Sequence, residues 1–250
     1  MKPMTEAHLA ILRRHMVEVI DMHFDLAEDE IGRRSLSHGL RQALLKVPRH
    51  LFVPQQLMVV AYQDTPLPIG FDKTDSQPFI GALMLELLGL ERGQKVLEVG
   101  TGLGWQAAVM AELGADLYSV EVVEEFAQAA RLRLAALDQH VEIRVGDGSR
   151  GWAEHAPFHK IIVTAAATQC PPALLEQLSS GGRMVLPLGA PDAQRLTIID
   201  KDAQSFAVSI VQYTQDHTNL KTRKPGERPQ PGIGNRQGFR RGTRSAFIHA

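Results

Sequence analysis

The stretch Lys95-Val96-Leu97-Glu98-Val99-Gly100-Thr101-Gly102-Leu103-Gly104-Trp105-Gln106 constrains the chain more than any other. A short apolar run ends in three alternate glycines, and a helix-forming segment follows. This order predicts a buried strand, a tight turn and a helix N-terminus, the opening of an α/β unit. A turn without side chains at that place lets a ligand approach the backbone closely. One acid, Glu98, sits inside the apolar run. A second run, Leu117-Tyr118-Ser119-Val120, ends in another acid, Glu121, placed to grip a ribose diol. Together these features predict a cradle for a nucleoside-bearing cofactor.

The glycine spacing narrows the cofactor. A dinucleotide site carries G-x-G-x-x-G, and its third glycine lets helix and strand pack closely. Here Gly100, Gly102 and Gly104 give G-x-G-x-G, and Trp105 stands at the third dinucleotide position. A tryptophan there argues against NAD. S-adenosyl-L-methionine suits the turn better, because it has no pyrophosphate to seat on a helix end. Its sulfonium and amino-acid end suit an acid such as Glu98, acting through the turn or a water. Asp147, in Gly146-Asp147-Gly148, follows the third strand of the unit. It is placed to accept from an adenine amino group, or else is a plain turn acid.

The surrounding pattern alternates. Strands are predicted at 95–99, 116–120, 141–145, 159–164, 182–187, 195–200 and 207–213, and helices at 104–113, 123–137 and 171–178. In the 123–137 segment Val123, Phe126, Ala127, Ala130 and Leu134 share a face. Alternation implies a seven-stranded, mostly parallel sheet covered on both sides. The last three strands follow one another without a helix, so that end is an antiparallel hairpin or pair. Ahead of the sheet lie helices. Residues 5–30 place Leu9, Leu12, Met16, Val19, Ile20 and His23 on one face, and Ser35 offers an N-cap for a helix running to Lys46. Residues 62–70 read as irregular and 70–78 as a polar loop. A helix then starts at Pro78, with Ile80, Leu83, Met84, Leu87 and Leu88 as its buried stripe.

Composition bounds the rest. A chain of 250 residues, 44% hydrophobic and 22% charged, suits one α/β domain with additions. Its single cysteine, Cys170, excludes an internal disulfide framework and suits a reducing compartment. The first residues lack the apolar core of a signal peptide, and no run approaches the roughly 18 apolar residues of a membrane span. The expectation is a cytoplasmic protein with no membrane association. Lys221–Ala250 carries eight Lys/Arg and one acid, hence +7, which leaves −8 on the rest of a chain whose total is −1. A basic tail can neutralise phosphates. This one lacks interleaved aromatics and follows an acidic body, so a solvated or docking tail is favoured over nucleic-acid binding, with Phe239, Phe247 and Ile248 as possible docking residues. His155 and His159 are four apart, but Pro157 interrupts a helix between them, so no metal site is expected. Cys170, before Pro171-Pro172, reads as a buried, inert thiol. No G-x-S-x-G elbow is present.

Longer stretches carry a resemblance. These are Val47-Pro48-Arg49-His50-Leu51-Phe52-Val53-Pro54, Ala61 to Gly70, Thr74-x-Ser76-Gln77-Pro78, Val96 to Gln106, Gly146-Asp147-Gly148 with Gly151-Trp152, Ile161 to Ala167, Pro172 to Leu178 and Gly181-Gly182-Arg183. In this order, over residues 40 to 200, they resemble the protein-L-isoaspartate (D-aspartate) O-methyltransferase family. The resemblance implies a Rossmann-like S-adenosylmethionine-dependent methyltransferase fold with an N-terminal helical extension. On that plan residues 1–78 hold the N-terminal helices and the active-site loop, 79–215 the cofactor-binding core, and 216–250 a basic tail. It implies methyl transfer to the α-carboxylate of an isoaspartyl residue, with an isoaspartyl-containing protein or peptide as partner. Ser76 matches the family's active-site serine. Thr74, Ser76, Glu121, Asp147, Gly148 and the turn Gly100, Thr101, Gly102 and Gly104 match its cofactor contacts, with Glu98 before the turn and Thr164 in the fourth-strand motif beside them.

The chain also departs from the family pattern. Where the loop usually reads Gln-Thr-Ile-Ser, this chain has Lys73-Thr74-Asp75-Ser76, preceded by Asp72. Leu103-Gly104-Trp105 replaces Ser-Gly-Tyr, and Gln212-Tyr213-Thr214-Gln215 stands where Arg-Phe-Val-Pro-Leu is usual. Asp72, Lys73, Asp75 and Tyr213 are therefore the expected substrate contacts, and the two acids favour a substrate with basic flanks. Two other readings stay open. One is a relative that methylates another peptide carboxylate, such as an aspartate or a C-terminus. The other is a non-catalytic relative that binds a cofactor, a nucleic acid or a partner.

Overall fold

The computed structural model describes residues 4–190, 193–203 and 205–211; Tyr213 and the basic tail lie outside the described residues. The chain begins with α1 (Glu6–Leu26), capped by Thr5, whose hydroxyl accepts from the His8 amide while the His8 ring accepts from the Thr5 amide. Its buried stripe is Leu9, Met16, Val17, Ile20 and Phe24. Phe24, not the expected His23, is the deep residue, and its ring meets Phe79 edge-on at 5.4 Å. A one-turn helix α2 (Glu28–Ile31) stops at Gly32 in the left-handed conformation. Then comes α3 (His38–Lys46). Its cap is Ser37 rather than the expected Ser35. The Ser37 hydroxyl accepts from the Leu40 amide, and its own N–H donates to the buried Glu86 carboxylate at 2.6 Å, which fixes where the helix starts.

Residues 67–75 are not the irregular loop that their prolines and glycines suggest. They form an antiparallel hairpin, β1 (Leu67–Gly70) and β2 (Lys73–Asp75), in which Gly70 pairs with Lys73. The two tip residues, Phe71 and Asp72, have φ of 51° and 52°. That is the backbone of a tight two-residue turn, but without the Asn-Gly that normally signals one. The next helix, α4 (Pro78–Leu88), is buried on nearly every side rather than along a stripe, Ile80 being the half-exposed exception. It is sandwiched between α1 and α3 and the main sheet.

The sheet follows the predicted alternation. In chain order come β3 (Lys95–Val99), α5 (Trp105–Glu112), β4 (Asp116–Glu121), α6 (Glu124–Ala135), β5 (Glu142–Val145), β6 (Phe158–Val163), α7 (Pro172–Gln177), β7 (Leu178–Leu188), β8 (Arg195–Lys201) and β9 (Phe206–Val211). The spatial order is β5-β4-β3-β6-β7-β8-β9. The first five strands are parallel, and β7, β8 and β9 form an antiparallel meander. Lys201 reaches across this meander and donates to the carbonyls of Leu175, Glu176 and Leu178, capping α7 with a cation. One apolar cluster joins α1, α3 and α4 to α5, α6 and Val96 of β3. A second, around Leu97, Ile161, Met184 and Leu174, fills the opposite face. The strand order reverses between β3 and β6, which opens a crevice at their carboxyl ends. No helix among the described residues is long and apolar enough to cross a membrane.

Candidate active site

The crevice is a cleft of about 730 Å³. The carboxyl ends of β3, β4 and β6 form its floor, and the β1–β2 hairpin forms one wall. Twelve of the expected residues meet on it: Asp72, Lys73, Thr74, Asp75, Ser76, Gly100, Thr101, Gly102, Glu121, Asp147, Gly148 and Thr164. Glu98 and Gly104 are not among its walls.

The floor is made of backbone. At Gly100, φ is 98°, and a Cβ would strike the Thr164 hydroxyl, which donates to the Gly100 carbonyl at 2.7 Å. Gly102 (φ 54°) donates its N–H to one Glu121 oxygen at 2.7 Å, and the Val123 amide donates to the other at 2.9 Å. Two backbone donors thus hold the buried Glu121 carboxylate, with lone pairs left for hydroxyl groups. Gly148 abuts the floor, since a Cβ there would strike Val99. Asp147 is exposed at the rim. The hydroxyl and amide of Ser149 donate to it, and those bonds hold its carboxyl below the usual range. Gly104 (φ 94°) serves packing instead: a Cβ would lie 3.1 Å from that of Ala130, so the glycine lets α5 close onto α6.

Glu98 lies beneath the floor. It is fully buried and accepts from the Ser119 hydroxyl at 2.6 Å, and Ser119 lies 2.5 Å from the Thr101 hydroxyl on the cleft wall. Its other oxygen has no hydrogen-bond partner among the described residues. Burial pushes its pKa up to about 8, against the opposing Ser119 bond and with a smaller push from Glu121. The expected ligand-facing acid therefore reaches the cleft only through Ser119 and Thr101.

The hairpin wall corrects a second expectation. The Asp75 carboxylate accepts from Arg49 at 2.5 Å, so its charge is neutralised inside the protein. Of the two hairpin acids, Asp72 at the tip is the exposed one. Asp64 anchors the far side of this segment, accepting from the Phe79 amide and the Gln77 side chain, with the His23 ring nitrogen Nδ1 2.9 Å from its carboxylate.

The family model for protein-L-isoaspartate (D-aspartate) O-methyltransferase matches residues 23–216. The chain belongs to this family. A family member from Polaromonas sp. (strain JS666), protein-L-isoaspartate O-methyltransferase 1, is 49% identical over 82% of this chain and 87% of its own. A solved protein-L-isoaspartate O-methyltransferase superposes with a TM-score of 0.68 at 27% identity, over 79% of this chain and 62% of that one. A second, from Plasmodium falciparum and described in complex with S-adenosyl-L-homocysteine, superposes with a TM-score of 0.65 at 20% identity over 79% of this chain and 93% of that one, and shares the fold.

The cleft also has components that sequence reasoning missed. Ile69, Val122 and Phe126 give it an apolar flank, and Phe71 leans its ring edge on Phe126 at 5.4 Å. Their alternation with polar residues is the only signal that could have marked them. The other chemical candidates are used structurally. His155 stacks on Tyr118 at 4.3 Å, and the His159 ring accepts from the Lys95 amide. No group of three or more His, Cys, Asp or Glu able to hold a metal occurs among the described residues. Burial raises the Cys170 thiol to about 11, far from a reactive thiolate.

Proposed function

We propose that this chain moves a methyl group from S-adenosylmethionine to the α-carboxylate of L-isoaspartyl or D-aspartyl residues in damaged proteins, in the service of repair. One observation carries the reading: a backbone-floored cofactor cradle and the Thr74–Ser76 segment open into the same cleft. The residues fit the cofactor. Gly100 and Gly148, where a Cβ would strike Thr164 or Val99, keep the floor bare for a ligand, Glu121 is presented for a ribose diol, and Asp147 stands at the rim for the adenine. When bound, S-adenosylmethionine supplies an electrophilic methyl on a cationic sulfur.

The acceptor's chemistry explains what the cleft lacks. A carboxylate with a reference pKa of about 4 is ionised at neutral pH. Its oxygen forms the new C–O bond as the C–S bond breaks, and the electron pair stays on sulfur. The products are a methyl ester and S-adenosylhomocysteine. No proton moves, so no general base is required, and the protein's work is alignment and exclusion of water. Ser76, on the wall, orients the acceptor carboxylate. The single cysteine also suits our placement of the enzyme in the cytoplasm.

The test is methyl transfer from labelled S-adenosylmethionine to paired peptides that differ only in an isoaspartyl or an aspartyl residue. Methylation confined to the isoaspartyl member supports the proposal. Methylation of neither refutes it and points to a different peptide carboxylate as the acceptor.

A further inference from the structure

A buried cation needs partners, and the one beneath this cleft has them on several sides. Arg49 opens a short 3-10 turn, Arg49–Leu51, and is 0% exposed. Its guanidinium donates to the Ala61 carbonyl at 2.8 Å, the Ser76 carbonyl at 3.0 Å and the Asp75 carboxylate at 2.5 Å. Its flat face lies 5.0 Å from the ring of Trp105, which lines the cleft. One side chain therefore joins three pieces of chain: the N-terminal segment, the end of β2 at Asp75 with the following Ser76, and the start of α5. A planar fork can make these contacts together, whereas an ammonium cannot.

The floor beneath the cofactor is held by a different set of bonds, from Thr164 to Gly100 and from Gly102 to Glu121. Arg49 touches neither. Its influence falls on the wall where the acceptor sits. It acts there in two ways: it fixes the backbone that carries Ser76, and it neutralises Asp75, whose free charge would repel an anionic acceptor. We propose that Arg49 is a positioning residue for acceptor binding, holding the Asp75–Ser76 wall from a seat closed to solvent and thereby setting where the acceptor carboxylate meets Ser76. The proposal rests on the carboxyl-methyl-transfer reading above.

The test uses the full chain and two variants, Arg49→Lys and the paired Arg49→Met/Asp75→Ile. The paired change removes both charges together, so no unpaired buried ion remains to unfold it. Initial rates against an isoaspartyl peptide give KM and kcat, and calorimetric titration with S-adenosylhomocysteine gives cofactor-site affinity. Both variants are expected to raise peptide KM at least about tenfold while S-adenosylhomocysteine affinity stays within about twofold of the parent. A parental KM in the paired variant would show that the pair merely stabilises the fold and would overturn the proposal. A fall in S-adenosylhomocysteine affinity in step with the rise in KM would also overturn it. A parent enzyme inactive on the peptide would instead refute the methyl-transfer reading, and the proposal with it; the parent's own rate tells these failures apart.

Discussion

At the scale of single residues, Glu98 shows how the cleft stores an acid out of reach of water. Its pKa in the folded protein is about 8, against an ordinary value of 4.5, because burial disfavours the anion. The folded state therefore keeps a proton that the unfolded chain gives up between those values. Stability from this group is complete below pH 4.5 and is lost as the pH rises toward 8, at about 1.4 kcal/mol per unit of separation. Glu98→Gln, a neutral isostere, should thus gain melting temperature on the parent as the pH goes from 5 to 8. A constant difference across that range in thermal scans would show that Glu98 is ionised throughout. Ser76 has the opposite character, being open to the cleft. Ser76→Ala should lower methyl transfer about 10- to 100-fold and leave S-adenosylhomocysteine binding nearly unchanged. Equal losses in rate and in titrated affinity would remove Ser76 from the acceptor side. Thr164 belongs to the floor. Gly100→Ala, which drives a methyl group into it at positive φ, should cost roughly 2–4 kcal/mol in denaturant unfolding and abolish cofactor binding.

Among the elements, the β1–β2 hairpin carries the most strain. Phe71 and Asp72 both have positive φ, and an aromatic residue seldom adopts it. The surroundings maintain this conformation, and Phe71 spends it on contact with Phe126 at the cleft flank. The double change Phe71→Asn and Asp72→Gly installs the residues this turn prefers. It should raise unfolding stability by about 1 kcal/mol and weaken S-adenosylhomocysteine several-fold by removing the Phe71 ring. Greater stability with unaltered affinity would mean that the ring has no part in binding. The same hairpin marks the boundary of what the sequence makes legible. The parallel strands announce themselves as apolar runs such as Val96 to Val99 and Ile161 to Val163, each bounded by turn residues. The hairpin hides because Pro66, Pro68 and Gly70 read as breakers, and nothing local requires Phe71 to turn. The placement of Glu121 and of the glycine floor on the cleft was legible because it depends on backbone and spacing. The burial of Glu98 and the pairing of Asp75 were not, because each depends on a partner distant in sequence, Ser119 in one case and Arg49 in the other.

For the molecule as a whole, the N-terminal helices are not an appendage. Met16, Ile20 and Phe24 of α1 share one apolar cluster with α4 and with Val96 of the central strand. Phe24→Ala should cost about 3–5 kcal/mol. It should lower a single calorimetric transition rather than split off an early one for residues 4–46. Two separated transitions would show that the helices form a unit of their own. The organisation of the cleft bears on how such an enzyme changes over generations. Its cofactor side is built from glycines whose replacement collides with Thr164 or Val99, so selection has little to vary there. Its proposed acceptor side is built from Asp72 to Ser76, on and just after a short hairpin at the rim. New acceptor preferences can accumulate in those few codons while the methyl supply is inherited intact.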